Sequence, residues 1–272
     1  MDFKAHARSC IAGALVGDAC GSYCKFHQKE LTEVETDFCM TMPGGGHFRQ
    51  NVGQCSDEGE LTMTLLQALV VMSKNGASTD GKLDLNVIKQ FYKDWFDSKP
   101  FDIEETVAAT IGRLDSLAAP KEKESQSNSS LVRITPLAVW AAGIEDLNMY
   151  RAVIEQEVKI THADPLVLDA SFIYAQTIAY LLNHCAEKDR ALRAFEHAMK
   201  LSHCVTSLAV KDWLRMAESL VKKQQKSDFE TLRSLNIHDE SEFIKHSFVL
   251  AFYFLLRVAD DLSYKEALQT TV

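Results

Sequence analysis

The sequence predicts an all-α fold, read as a single-domain orthogonal helical bundle of about ten to twelve helices at typical helix and loop lengths. Apolar residues recur at three- and four-residue spacing wherever a pattern can be read. Strand-like alternation is scarce. Only 5 prolines and 12 glycines punctuate the chain, and the turn signals fall between the periodic stretches.

The first element is the helix Gly13–Ser22, with Gly13, Gly17 and Gly21 along one face. Glycine at that spacing weakens a helix but permits close approach of a second backbone, and Asp18 lies near the same face. Gly44-Gly45-Gly46 reads as an open turn. Ten residues later Ser56-Asp57-Glu58 heads a helix carried by Leu61, Leu65, Leu66, Leu69 and Val70. Turns follow at Asn75-Gly76, Ser98-Lys99-Pro100 and Ala119-Pro120. The polar tract Lys121–Ser130 reads as a long surface loop within one domain spanning residues 1–272, because helices of similar character flank it. Thr161-His162 precedes Asp164-Pro165, which opens a helix bearing Phe172, Ala175, Ile178, Ala179 and Leu182. Three more apolar stripes follow: Leu192, Phe195, Met199; Leu208, Trp213, Met216, Leu220; and Phe248, Ala251, Phe252, Leu255, Leu256. Asp260-Asp261 before Ser263 reads as a turn into a last helix.

A hydrophobic share of 46% and a charged share of 25% are those of a soluble globular protein. Net charge is 29 − 38 = −9, without a basic stripe, which argues against a nucleic-acid partner. The seven cysteines are scattered and lack zinc spacing, so reduced thiols in a cytoplasmic protein are expected. The N-terminus lacks a signal pattern, since Asp18 interrupts the apolar run that starts at Ile11. Phe248–Leu256, taken as the longest apolar stretch, is too short to span a bilayer, so no membrane partner is expected. Oligomeric state is not legible.

The chemistry gathers at four places. Ser56, Asp57 and Glu58 are hard oxygen donors at one point, a set that suits Mg²⁺; as a helix start they also serve as cap and dipole partners. Asn128-Ser129-Ser130 before Leu131-Val132-Arg133 offers amides and hydroxyls at a helix start, suited to a phosphate or to ordinary capping. His162 stands at a loop–helix junction, as a local hydrogen-bonder or a site residue. Asp18 either meets a loop or faces the site.

In order, G-D-A-C-G, M-P-G-G-G with S-D-E-G-E-L, N-S-S-L-V-R-I-T-P-L-A and T-H-A-D-P resemble the ADP-ribosylglycohydrolase family, which includes the dinitrogenase reductase-activating glycohydrolases. The resemblance runs from about Ile11 onward and includes Ile244-Lys245-His246-Ser247-Phe248. It implies an all-α protein holding two Mg²⁺ (sometimes Mn²⁺) ions and hydrolysing the glycosidic bond between ADP-ribose and a protein side chain or related conjugate. It implies metal ligation by Ser56, Asp57 and Glu58, with Asp57 and Glu58 also catalytic. Asp18, Asn128, Ser129, Ser130, Arg133 and His162 are the implied substrate-binding set. Glu58 stands where the family has a second aspartate, Gly59 where it has Thr or Ser, and Ser129 where it has glycine. Lys25 stands where some members carry glutamate, and its ammonium is expected to repel a cation. Members place a Gly-Gly-Asp-x-Asp-Thr motif, the other half of the metal site, beyond the helix matching Tyr264–Val272, and the 272 residues stop before it. These departures leave a second reading: a catalytically inactive relative with a structural, crystallin-like or ADP-ribose-binding role.

Overall fold

The computed structural model describes residues 2–27, 29–74, 82–114, 124–223, 227–233, 235, 237 and 241–272. The described residues form fourteen helices: α1 Phe3–Ser22, α2 Glu33–Cys39, α3 Asp57–Lys74, α4 Leu85–Asp97, α5 Glu105–Ile111, α6 Ser129–Arg133, α7 Thr135–Ala141, α8 Leu147–Val158, α9 Pro165–Asn183, α10 Arg190–Leu201, α11 Leu208–Lys223, α12 Asp228–Arg233, α13 Ile244–Val258 and α14 Tyr264–Thr271. Pairing outside the helices among these residues is limited to the isolated bridges Gly45–Gln50 and Ser127–Phe243. The all-α expectation holds, and the helix count exceeds it. The surplus lies in short pieces: α2, α5 and α7 have 7 residues each, α12 has 6 and α6 has 5. Two turns or fewer leave no room for an apolar repeat to show.

The bundle is built around α9. Asp164 caps it, accepting from Leu166 N–H at 2.8 Å, and Pro165 fills the first turn, where a missing N–H costs nothing. Twelve of its residues are buried, and it packs against α1, α6, α7, α8, α10, α11 and α13. It is also long and apolar enough to cross a bilayer, which corrects the choice of Phe248–Leu256 as the relevant stretch. Its location accounts for its composition: a helix apolar on all sides suits the centre of a large core as well as lipid.

The glycine face of α1 is closed by side chains rather than by a second backbone. Tyr264 of α14 donates from Oη to the Gly13 carbonyl at 2.6 Å. A Cβ at Gly17 would stand 3.2 Å from that oxygen and 3.5 Å from Leu268 Cδ2, whereas one at Gly21 would meet nothing within 4 Å. Asp261 (φ 66°) turns the chain into α14, which Ser263 and Glu266 start with a capping box.

The tract ending at Ser130 differs from the surface loop expected. Ser127, Ser129 and Ser130 are buried, because Asn128 N–H donates to the Glu242 carbonyl at 2.8 Å and Ile244 N–H to the Gln126 carbonyl at 3.0 Å, tying the segment to the start of α13. Residues 121–123, Asn75-Gly76 and Ala119-Pro120 lie outside the described residues. Lys99, at φ 60°, makes the expected turn after α4.

Candidate functional site

The three glycines after Pro43 form a tight loop packed on the turn that ends α1. All three have positive φ, and Gly45 exchanges backbone hydrogen bonds with Gln50 at 2.7 and 2.9 Å. A Cβ at Gly46 would stand 2.5 Å from the Tyr23 carbonyl oxygen, so the loop lies directly on the turn that ends α1. That turn, with Phe26 at φ 66°, carries Lys25.

Asp18 reaches across from α1 to the head of α3. Its carboxylate accepts Ser56 N–H at 2.8 Å and Ser56 Oγ–H at 2.6 Å. The Ser56 hydroxyl is thus held by Asp18 and lies against Glu58 Oε2, a different arrangement from a cap on α3. Gly59 makes this approach possible: a Cβ there would overlap Asp18 Oδ2 and stand 2.5 Å from Cys55 Cβ. Alanine is ordinarily the better helix residue by about 0.5–1 kcal/mol. Here Gly59→Ala is expected to reverse that sign and lose about 1–3 kcal/mol by overpacking, with Gly59→Thr losing more. A urea-melt midpoint that rises in Gly59→Ala contradicts the packing described.

Lys25 sits at the centre of the acidic group. Its ammonium donates to Asp57 Oδ1 at 2.9 Å and Asp102 Oδ2 at 2.5 Å, with Glu58 Oε2 at 3.5 Å. The Lys25 and Glu58 side chains are each 26% exposed and Asp102 is 10% exposed, whereas Asp57 is 1% exposed. Burial pushes the Glu58 carboxyl up to about 8, reinforced by the hydrogen bond and charge of Asp57. Burial acts on Asp57 in the same sense, but its hydrogen bond with Glu58 and the Lys25 ammonium outweigh it and hold Asp57 below the usual carboxylate value. The two adjacent carboxyls are thus driven in opposite directions, Glu58 toward keeping its proton and Asp57 toward losing it. The Ser56 hydroxyl stands between two carboxyl groups, Asp18 Oδ1 at 2.6 Å and Glu58 Oε2, and ties the head of α3 to α1.

A continuous path leads from this cluster to the asparagine turn. Glu104 N–H donates to Asp57 Oδ2 at 2.9 Å, and Ser129 Oγ donates to Glu104 Oε2 at 3.2 Å. Asn128, partly exposed, donates from Nδ2 to Ser247 Oγ at 2.8 Å. Glu242 overlooks the same edge, its carboxyl raised by partial burial and by the charge of Glu104.

Arg133 and His162 stand behind this turn. Both are 0% exposed, and their hydrogen bonds run to residues of the turn and its neighbours. Arg133 donates to Glu157 Oε1 at 2.8 Å, to the Ser129 carbonyl at 3.1 Å and to Thr161 Oγ1 at 2.8 Å. His162 is bridged at 2.8 Å on each ring nitrogen, Nδ1 to Thr161 Oγ1 and Nε2 to Ser127 Oγ. Ser129 and Ser130 are likewise turned inward, Ser130 Oγ lying 3.4 Å from Ser171 Oγ. Asp102, Glu104 and Glu242 are the site residues that sequence reasoning missed. The one signal was an acidic pair, Asp102 and Glu104, just before an apolar helix start.

The residues present do not fit the implied pair of Mg²⁺ ions. Mg²⁺ demands near-ideal octahedral oxygen geometry at about 2.0–2.1 Å. Both Asp57 oxygens are engaged, by Lys25 and by Glu104 N–H, and both Asp18 oxygens are held by Ser56. Among the described residues no group of three or more His, Cys, Asp or Glu is arranged to hold a metal.

Comparison with known proteins gives this geometry a lineage. A family model described as ADP-ribosylglycohydrolase matches residues 1–272. The chain is 26% identical over 202 residues to the ADP-ribosyl-(dinitrogen reductase) glycohydrolase of Rhodospirillum rubrum, a match covering 72% of this chain and 63% of that protein. It is 22% identical over 207 residues to the ADP-ribosylarginine hydrolase Tri1 of Serratia proteamaculans (strain 568), covering 72% of this chain and 51% of that protein. The chain thus spans less than two thirds of the length of these curated relatives. A solved structure described as an ADP-ribosylglycohydrolase-related protein complex superposes with a TM-score of 0.71 at 15% identity, covering 99% of this chain and 80% of that one, and shows the shared fold. With a family model spanning every residue, the chain belongs to the ADP-ribosylglycohydrolase family.

Proposed function

We propose that this chain binds ADP-ribose carried on a protein side chain, or a related ADP-ribose conjugate, and hydrolyses the glycosidic bond that attaches it. The observation that carries the reading is the placement of the Asp57–Glu58 pair: two adjacent carboxyls at the head of α3, Asp57 buried against Lys25 and Glu58 26% exposed, their acidities shifted in opposite directions. Such a split is how one site supplies an acid and an anion together. Glu58 gives its proton to the departing side-chain nitrogen or oxygen as the bond to the anomeric carbon breaks. The anionic Asp57 and Asp102 offset the positive charge that develops on the ribose ring. Water then adds to the anomeric carbon and returns a proton to Glu58. The Asn128 turn, linked to this pair through Glu104, takes the rest of the nucleotide. The seven unbridged cysteines suit a cytoplasmic setting for such a reaction.

Lys25, seated among the carboxylates, favours a second reading in which the conjugate is held without turnover. Calorimetric titration with ADP-ribose, in chelator and in Mg²⁺, separates these outcomes when paired with an assay for ADP-ribose released from a modified protein. The expected result is binding heat for both wild type and Glu58→Gln, with release slowed at least about 100-fold in the variant, the usual scale for a lost general acid. Heat without release selects the second reading, and no heat in either buffer rejects both.

A further inference from the structure

We propose that the Lys25 ammonium is the resident cation of this acidic site, so that the chain itself supplies the positive charge there and the site takes up no divalent metal. Three carboxyl groups from two separated segments converge on one nitrogen: Asp57 at 2.9 Å, Asp102 at 2.5 Å and Glu58 at 3.5 Å. Carboxylates gathered this closely repel one another unless a positive charge lies between them. A metal is one such charge, and a tethered ammonium is another that needs no uptake from solution. Lys25 is held there from three sides. The turn ending α1 aims it, Gly46 lets the glycine loop close onto Tyr23 behind it, and the ammonium lies 5.9 Å from the centre of the Phe26 ring, within reach of a cation–π contact. Two neighbouring groups are engaged as well: Glu104 N–H holds Asp57 Oδ2, and Ser56 holds both oxygens of Asp18. A divalent ion entering here must expel Lys25 into solvent and carry its own charge up against whatever the ammonium retains.

The inference stands apart from which ligand the site receives, and its test uses none. Mn²⁺ is titrated into the full chain and the free aquo ion is followed by electron paramagnetic resonance, alongside thermal melts in Mg²⁺ and in chelator. Wild type is expected to leave the free-ion signal undiminished and to melt at the same temperature in both buffers. Lys25→Ala and the milder Lys25→Gln, which vacate the centre of the cluster, are expected to bind Mn²⁺ at least about tenfold more tightly than wild type. Loss of the free-ion signal with wild type overturns the proposal. So does either folded variant binding no better than wild type, because Lys25 is then not what keeps the metal out. Should neither variant fold, the wild-type titration decides alone, and failure of the ADP-ribose titration leaves this result untouched.

Discussion

Arg133→Ala is expected to destabilise the protein by about 3–5 kcal/mol, the loss seen when one partner is removed from a buried ion pair. At this chain length that lowers the melting temperature by about 10 °C. The guanidinium and the Glu157 carboxylate are both 0% exposed, and Tyr92 Oη adds a second donor to the same carboxylate oxygen at 2.5 Å. Without Arg133 the Glu157 charge stays buried with a single hydroxyl facing it, and it cannot be rehydrated without opening α8 from α6 and α4. Arg133→Met with Glu157→Gln removes both charges and is expected to recover more than half of the loss. The two arrangements part at the ligand. The double variant regains stability but not the bonds from Arg133 to the Ser129 carbonyl and Thr161 Oγ1, so the Asn128 turn stays loose. ADP-ribose binding is expected to remain at least about tenfold weaker than wild type, a shift of about 1.4 kcal/mol. A double variant that binds as wild type does refutes the positioning role. An Arg133→Ala protein as stable as wild type refutes the burial argument.

How far the sequence disclosed this arrangement depended on whether a residue's partner lay within its own element. The stripes of α3, α9, α10, α11 and α13 were legible in the main, because a helix long enough to repeat its apolar period advertises the face it buries, but Val70, Leu192 and Leu208, counted in those stripes, are exposed. Asp164-Pro165 marked the start of α9 for the same local reason. The burial of Arg133 and His162 was not legible because it depends on remote partners: Glu157 lies 24 positions from Arg133, and Ser127 lies 35 from His162. One clue was available. Tyr150, Val153, Ile154, Glu157 and Val158 share the buried face of α8, and a glutamate in that series requires a cation inside the core. Gly59 read only as a departure from a motif, and its cause, the approach of Asp18, is a tertiary contact. Lys25 was noticed for its charge, but repulsion of a metal was the only consequence a linear sequence could suggest. The three carboxyls it joins are separated from it by 32, 33 and 77 residues.

Raising the pH from 5 to 8 is expected to destabilise wild type by on the order of 3 kcal/mol, and Glu58→Gln is expected to remove most of that slope. The sign follows from which state binds the proton. Glu58 titrates near its ordinary value when unfolded and at about 8 when folded, chiefly through burial. Between those values the folded chain holds a proton that the unfolded chain has released, so stability is full below the lower pKa and drains away as pH climbs through the upper one. Asp18 and Asp102 are raised as well, each chiefly by burial, so their contributions also fall as pH rises, beginning at the ordinary carboxylate value. Asp57 is shifted downward, so its stabilisation is lost only below its ordinary value and leaves the range from 5 to 8 undisturbed. The amide introduced by Glu58→Gln would present a neutral donor to Asp57 at every pH, as the protonated acid does. The variant should match wild type near pH 5 and exceed it at pH 8, the reverse of what losing a favourable ion pair to Lys25 would produce. Denaturant melts across that range in chelator measure both curves. Parallel curves would mean that Glu58 is already ionised at pH 5, and the proton assigned to it as the acid of the site would have to be sought elsewhere.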